Sequence, residues 1–247
     1  MDIRLSCRLS AVAAMVTPGS RVVDVGTDHA WLPLWLIRHG VAKEALAMDV
    51  RPGPLSRAKD HIAAFDMQDH IRTRLSDGLS AYKPGEGDTL ILAGMGGPLM
   101  ERILREGGEA SFSFREWILQ PQSDVPHLRR LLSGAGLTAD KEDMVLEEGK
   151  FYPVLHYSIP QESEKKSCML RSLAEGNEAD PADTPMFGSL LPADRHPVMK
   201  QFLERELAIR NRILDNLDRS RSEKGTARLN EIMEEKRQIL DALSYYS

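Results

Sequence analysis

Three aspartates close three short apolar segments, and together they outline a nucleoside site. The first block is Asp24-Val25-Gly26-Thr27-Asp28-His29-Ala30-Trp31-Leu32-Pro33, which continues directly from Arg21-Val22-Val23. Asp49 follows Ala45-Leu46-Ala47-Met48, and Asp77-Gly78 follows the segment from Ile71 to Leu75. In an open α/β sheet, ligands bind beyond the carboxyl ends of the strands, so residues at such positions converge on one crevice. Asp49 lies about 20 residues beyond the first turn, the spacing at which a carboxylate grips ribose hydroxyls. Asp77 is placed to accept from an adenine amino group. Each aspartate also has a plain structural reading: Asp28 as a helix N-cap, Asp49 as a strand-terminal cap, Asp77-Gly78 as a simple turn. Their recurrence at three successive strand ends favours the site.

Spacing and charge then select the cofactor. A dinucleotide-binding turn wants Gly-x-Gly-x-x-Gly, but counting from Gly26 the next two glycine positions hold Asp28 and Trp31. Asp28 would repel a pyrophosphate, whereas it favours the sulfonium and ammonium of a phosphate-free methyl donor, S-adenosylmethionine. Ala93-Gly94-Met95-Gly96-Gly97-Pro98 follows a further apolar segment, and glycines there let a planar base or the cofactor approach the backbone. The same block also reads as a tight turn before a helix begun by Pro98. His29 could touch substrate or tune a proton, or simply hydrogen-bond within its turn. The sequence contains no evident Ser-His-Asp set or metal-ligand cluster.

These residues need a scaffold, and the hydrophobic pattern supplies one. Segments 21–26, 45–49, 71–75, 89–94 and 117–121 have strand length, and helical spacing fills Trp31 to Gly40, Pro54 to Phe65 and Pro98 to Arg105. That alternation predicts an α/β fold with a parallel sheet covered by helices. Residues 138–146 and 152–159 flank Glu147-Glu148-Gly149-Lys150 and read as a late hairpin, which completes a Rossmann-like seven-stranded methyltransferase sheet. The reading divides the chain into this domain over 1–160, a linker or irregular segment over 161–195, and a coiled-coil-like helical hairpin over 196–247. In the hairpin, Leu203, Leu207, Leu214 and Leu217 form one stripe, and Leu229, Ile232, Ile239 and Leu243 another.

Composition narrows the function classes. The 247 residues carry a formal net charge of −5, so nucleic acid can be bound only through a local basic patch. Arg4 and Arg8, Arg72 and Arg74, Arg129 and Arg130, and Arg219, Arg221 and Lys224 are the candidate pieces of such a track. Cys7 and Cys168 form no CxxC pair, and no apolar run approaches the length of a membrane span. A cytoplasmic protein without metal, membrane contact or an indicated protein partner is expected.

The blocks 24–33, Asp49-Val50 with Gly53-Pro54-Leu55 and Ala58, Asp77-Gly78-Leu79, 93–97, Ile118-Leu119-Gln120-Pro121, and Glu147-Glu148-Gly149-Lys150 with Tyr152 resemble, in order, the bacterial tRNA adenine-22 N1-methyltransferase family. The resemblance covers about the first 160 residues, and the C-terminal helical pair is similar to that family's coiled-coil domain. Trp31 and Gln122 depart from the family pattern, which has tyrosine and a small polar residue such as asparagine. The resemblance implies methyl transfer from S-adenosylmethionine to N1 of an adenine in the D-arm region of tRNA. It places donor binding at Asp24, Gly26, Asp28, His29, Asp49, Val50, Asp77, Gly78 and Gly94, and the reacting side at His29, Met95, Gly96 and Gly97. RNA contacts would fall to Arg4, Arg8, Arg219, Arg221 and Lys224. The alternatives are the same donor with another RNA or small-molecule acceptor, and a non-catalytic Rossmann-like module that binds RNA or protein.

Overall fold

Period-two alternation along the strands sends successive side chains to opposite faces of the sheet, and this decides the layers. The structure, a computed structural model, describes residues 3–180, 184, 186–217 and 223–247. Seven strands, β1 (Ser20–Val25), β2 (Ala42–Asp49), β3 (Ile71–Leu75), β4 (Thr89–Met95), β5 (Glu116–Pro121), β6 (Lys141–Glu147) and β7 (Lys150–Ser158), form one sheet in the order β3-β2-β1-β4-β5-β7-β6. The first five run parallel, and β7 pairs antiparallel with both β5 and β6. This is the expected Rossmann-like α/β sheet with its late antiparallel hairpin.

Val23, Leu90, Leu92, Trp117 and Leu119 project to one face. There they meet Met100 and Leu104 of α4 (Gly97–Gly107) and Leu128, Leu131 and Leu132 of α5 (Val125–Gly134). Val22, Ile91 and Ile118, one residue out of phase, project to the other face. They are covered by α1 (Cys7–Met15), α2 (Trp31–Arg38) and α3 (Pro52–Ala64), through Val12, Leu34, Leu36, Ala58 and Ile62. Proline stands in the first turn of α3, α4 and α5, where its missing N–H is not needed.

Helix α1 has no counterpart in the sequence reading. Ser6 caps it by accepting from the Leu9 N–H at 3.3 Å, and Glu147 Oε1 accepts from the Cys7 N–H at 2.7 Å. The expected linker also contains regular structure, α6 (Ser163–Glu175), which buries Leu173 and donates from Ser172 Oγ to the Gly134 carbonyl at 2.8 Å. One buried leucine among polar neighbours gives a weak periodic signal, which explains the linker-like composition.

The chain divides into compact units at Asp180 and Pro181. The second contains α7 (Leu190–Ala193), α8 (Pro197–Leu217) and α9 (Glu223–Leu243). Met199, Leu203, Ile232 and Ile239 are fully buried, and Arg210 Nε of α8 donates to Glu235 Oε2 of α9 at 2.8 Å. Leu207, Leu214, Leu229 and Leu243 are half-buried. Among the described residues no helix is long and apolar enough to cross a membrane.

Candidate ligand cavity at the strand ends

The strand order reverses between β1 and β4, so the crevice beyond their carboxyl ends is the topological switch point. The turn after β1 folds over the end of β2, because the N–H groups of Gly26 and Thr27 both donate to the Met48 carbonyl, at 2.8 and 2.9 Å. Gly26 has φ +75°, a conformation that favours glycine, and the flexible end of Met95 lies where a Cβ would stand. His29 and Ala30, both at φ +60°, turn the chain into α2. Facing them, Gly94 (φ +77°) forms a bulge in β4 where the register against β5 shifts. Between these walls lies a cavity of about 320 Å³, lined by Asp24, Gly26, Asp28, Trp31, Asp49, Gly94 and Gln122, with Arg8 and Arg51.

The carboxylates differ in how they are held. Asp24 is buried, and burial pushes its carboxyl up to about 6, with Asp49 and Asp28 adding repulsion. Asp49 is also buried, and its Oδ1 accepts the Arg51 N–H at 2.7 Å. Among the described residues Asp49 Oδ2 takes no hydrogen bond, which leaves an acceptor at the cavity wall. Asp28 is exposed and pairs with His29 Nε2 at 3.1 Å.

Asp24, Gly26, Asp28, Asp49 and Gly94 are thus brought together as expected. The remaining candidates lie around them. Val50 and Leu75, at the ends of adjacent strands β2 and β3, are large apolar residues left more than half exposed beside Asp49. Asp77 lies just past β3, gripped by Arg102 at 2.8 and 3.2 Å, which holds its carboxyl below the usual range. Gly78 abuts Ile103 of α4 rather than the cavity. Met95 packs over Gly26. Gly96 and Gly97 also pack closely: a Cβ would meet the Ser123 hydroxyl at 2.8 Å and the Ser123 carbonyl oxygen at 2.9 Å, respectively. The His29 ring is engaged on both sides: Arg57 Nε donates to Nδ1 at 3.1 Å, and Nε2 faces Asp28.

One wall of the cavity has no local signal in the sequence. Arg8, read as an RNA contact, enters from α1, and its Nη1 donates to Gln120 Oε1 at 2.8 Å. Gln120 is fully buried and also accepts the Gly94 N–H at 3.1 Å. The proposed basic track is otherwise largely paired: Arg129 with Glu142, Arg130 with Glu178, and Arg72 and Arg74 with Glu86. Arg4 is exposed. Arg219 and Arg221 lie outside the described residues, as does the side chain of Lys224 within α9. Among the described residues no group of three or more His, Cys, Asp or Glu side chains could hold a metal ion.

Residues 5–155 match the family of the methyltransferase domain. The tRNA (adenine(22)-N(1))-methyltransferase of Bacillus subtilis is 35% identical over 154 residues, which span 62% of this chain and 65% of that protein, just under two thirds of its length. The crystal structure of the B. subtilis M1A22 tRNA methyltransferase TrmK superposes with a TM-score of 0.82 at 26% identity, over 98% of this chain and 100% of that one. Sp1610 of Streptococcus pneumoniae, in complex with S-adenosyl-L-methionine, gives a TM-score of 0.77 at 27% identity, over 97% and 100%.

Proposed function

Because the chain belongs to the methyltransferase-domain family, we propose that it transfers a methyl group from S-adenosylmethionine to N1 of an adenine in tRNA, at position 22. The observation that carries the reading is the switch-point cavity, in which Asp24, Asp28 and Asp49 face the backbone of Gly26 and Gly94. The fit is chemical: a buried carboxylate with one oxygen unpartnered suits a ribose diol, and an acidic wall favours a ligand bearing two cationic groups. The kinship to the B. subtilis enzyme and to the donor-bound streptococcal structure supports the donor and the acceptor.

When bound, the donor supplies an electrophilic methyl group on a positively charged sulfur. Asp49 Oδ2 accepts from the ribose, and Val50 and Leu75 offer apolar surface to the adenine ring. Asp77 accepts from the adenine amino group through a lone pair its Arg102 contacts leave over. Gly26 and Gly94 leave room for the donor's reactive end, while Met95, Gly96 and Gly97 form the wall toward the acceptor. N1 of adenine attacks through an in-plane lone pair and needs no deprotonation, so orientation replaces a general base. The engagement of both His29 nitrogens agrees with that: His29 fixes Asp28 and the turn. Because N1 lies on the Watson–Crick edge, the base must be unpaired or turned out of its stack. The helical unit adds a second contact to folded RNA through Arg219, Arg221 and Lys224.

The test is transfer of labelled methyl from S-adenosylmethionine to unmodified tRNA transcripts, followed by nucleoside analysis. Label in N1-methyladenosine, absent from a transcript carrying guanine at position 22, is the expected result. Donor binding with no label in any tRNA would overturn the acceptor assignment.

A further inference from the structure

The cavity holds two cations among its aspartates, and their settings differ. Arg51 is at the rim: its side chain is 76% exposed, and its Nε lies 3.9 Å from Asp49 Oδ1. Arg8 is half-buried and fixed. Its Nη1 donates to Gln120 Oε1 at 2.8 Å, and its guanidinium carbon lies 5.7 Å from the centroid of the Tyr152 ring. Among the described residues its Nε and Nη2 donate to no protein acceptor, so a planar pair of donors remains available. The same Gln120 oxygen accepts the Gly94 N–H, so one buried carboxamide sets the spacing between the Arg8 guanidinium and the glycine bulge. A Cβ on Gly94 would stand 3.4 Å from Arg8 Nη1, which shows how closely the cation approaches that wall.

A methyl donor of the S-adenosylmethionine type carries a carboxylate as well as its two cations. In a cavity with three aspartates that carboxylate needs a counter-charge. We propose that Arg8 binds the amino-acid carboxylate of the donor, with Gln120 as the residue that positions it. The proposal rests on the reading of the cavity as a donor site. It takes Arg8 out of the RNA track and makes it a selectivity device: a guanidinium fork recognises a carboxylate through two parallel hydrogen bonds, and a ligand lacking the carboxylate forfeits them.

The experiment compares S-adenosylmethionine with its decarboxylated analogue by titration calorimetry, on the wild-type chain and on Arg8→Met, Arg8→Lys and Gln120→Leu, with Arg171→Met, an exposed arginine of α6 outside the cavity, as a control. Wild type is expected to prefer the carboxylate-bearing donor by roughly 10- to 100-fold, and Arg8→Met to lose most of that preference while binding the analogue as wild type does. Arg8→Lys keeps the charge without the fork and falls between them. Gln120→Leu weakens the donor more than the analogue, and Arg171→Met leaves both affinities intact. Equal weakening of both ligands in Arg8→Met, or unchanged donor binding with weakened tRNA binding, overturns the proposal in favour of a structural or an RNA-contacting arginine. Failure of the wild-type chain to bind S-adenosylmethionine at all would instead remove the donor-site reading on which it rests.

Discussion

Asp24 and Glu116 are equally buried, each 5% exposed, at opposite ends of neighbouring parts of one sheet, yet their carboxyls are driven in opposite directions. Burial raises Asp24 to about 6. Burial also opposes ionisation of Glu116, but hydrogen bonds from His156, Thr17 and Thr89 hold it at about 2. His156 Nε2 reaches Glu116 at 2.8 Å while Nδ1 faces Asp140, so its imidazolium is favoured and its pKa raised despite burial. Around Glu116, at the amino-terminal end of β5, the carboxylate and imidazole therefore form a satisfied polar network. At the carboxyl-terminal ends of β1 and β2, the Asp24 pKa is held up by burial and Asp49 keeps one oxygen without a donor among the described residues. Unmet hydrogen-bonding capacity of this kind marks the end that receives a ligand, and a closed network marks the end that holds the fold.

The largest expected effect comes from opening the closed end. Glu116→Leu removes one of the two carboxylates that hold the His156 charge and the acceptor of Thr17 and Thr89, and should cost about 3–5 kcal/mol in denaturant unfolding, leaving donor affinity of the folded fraction unchanged. With Glu116 depressed, its stabilising contribution is present above its ordinary value near 4.5 and disappears as pH falls toward about 2. The His156 contribution has the opposite sign: it is present at low pH and lost as pH rises through the raised imidazole value.

Asp24→Asn probes the open end. The folded protein retains an Asp24 proton that the unfolded chain releases, so wild-type stability should decline as pH rises from about 4 to about 6, by up to about 3 kcal/mol. The asparagine variant should remove that decline in pH-dependent unfolding. A cationic donor favours the ionised carboxylate, so wild-type donor affinity should rise about tenfold between pH 5 and pH 7, with proton release on binding. The variant should show neither. The smallest effect is expected from the basic segment of the second unit: replacing Arg219, Arg221 and Lys224 by alanine should weaken tRNA binding, lower its salt dependence by about 0.9 per lost phosphate contact, and leave donor titration unchanged.

Much of this contrast was legible in the chain itself. Asp24 and Asp49 announce themselves because each ends an apolar strand, and Gly26 and Gly94 because each sits where the backbone must turn. The satisfied end was not legible. Glu116, Asp140 and His156 converge through antiparallel pairing of β5 with β7, which local pattern does not encode. The place of Arg8 in the cavity wall was not legible for a related reason: its partner Gln120 is distant in sequence, and α1 runs through small apolar residues, Ala11-Val12-Ala13, with no polar interleaving to set a period. The glycines at 96 and 97 signalled a site, and the close packing of Ser123 and Asp124 against them is a second reason for their type that the pattern does not show.

The most direct test pairs one substitution at each end, Asp49→Asn and Glu116→Leu, and measures S-adenosylmethionine affinity and unfolding free energy for both. The account predicts a double dissociation: Asp49→Asn weakens the donor about 100-fold with unfolding nearly unchanged, and Glu116→Leu does the reverse. Donor affinity that survives Asp49→Asn, or falls only in step with lost stability in both variants, would contradict the division of the sheet into a binding end and a holding end.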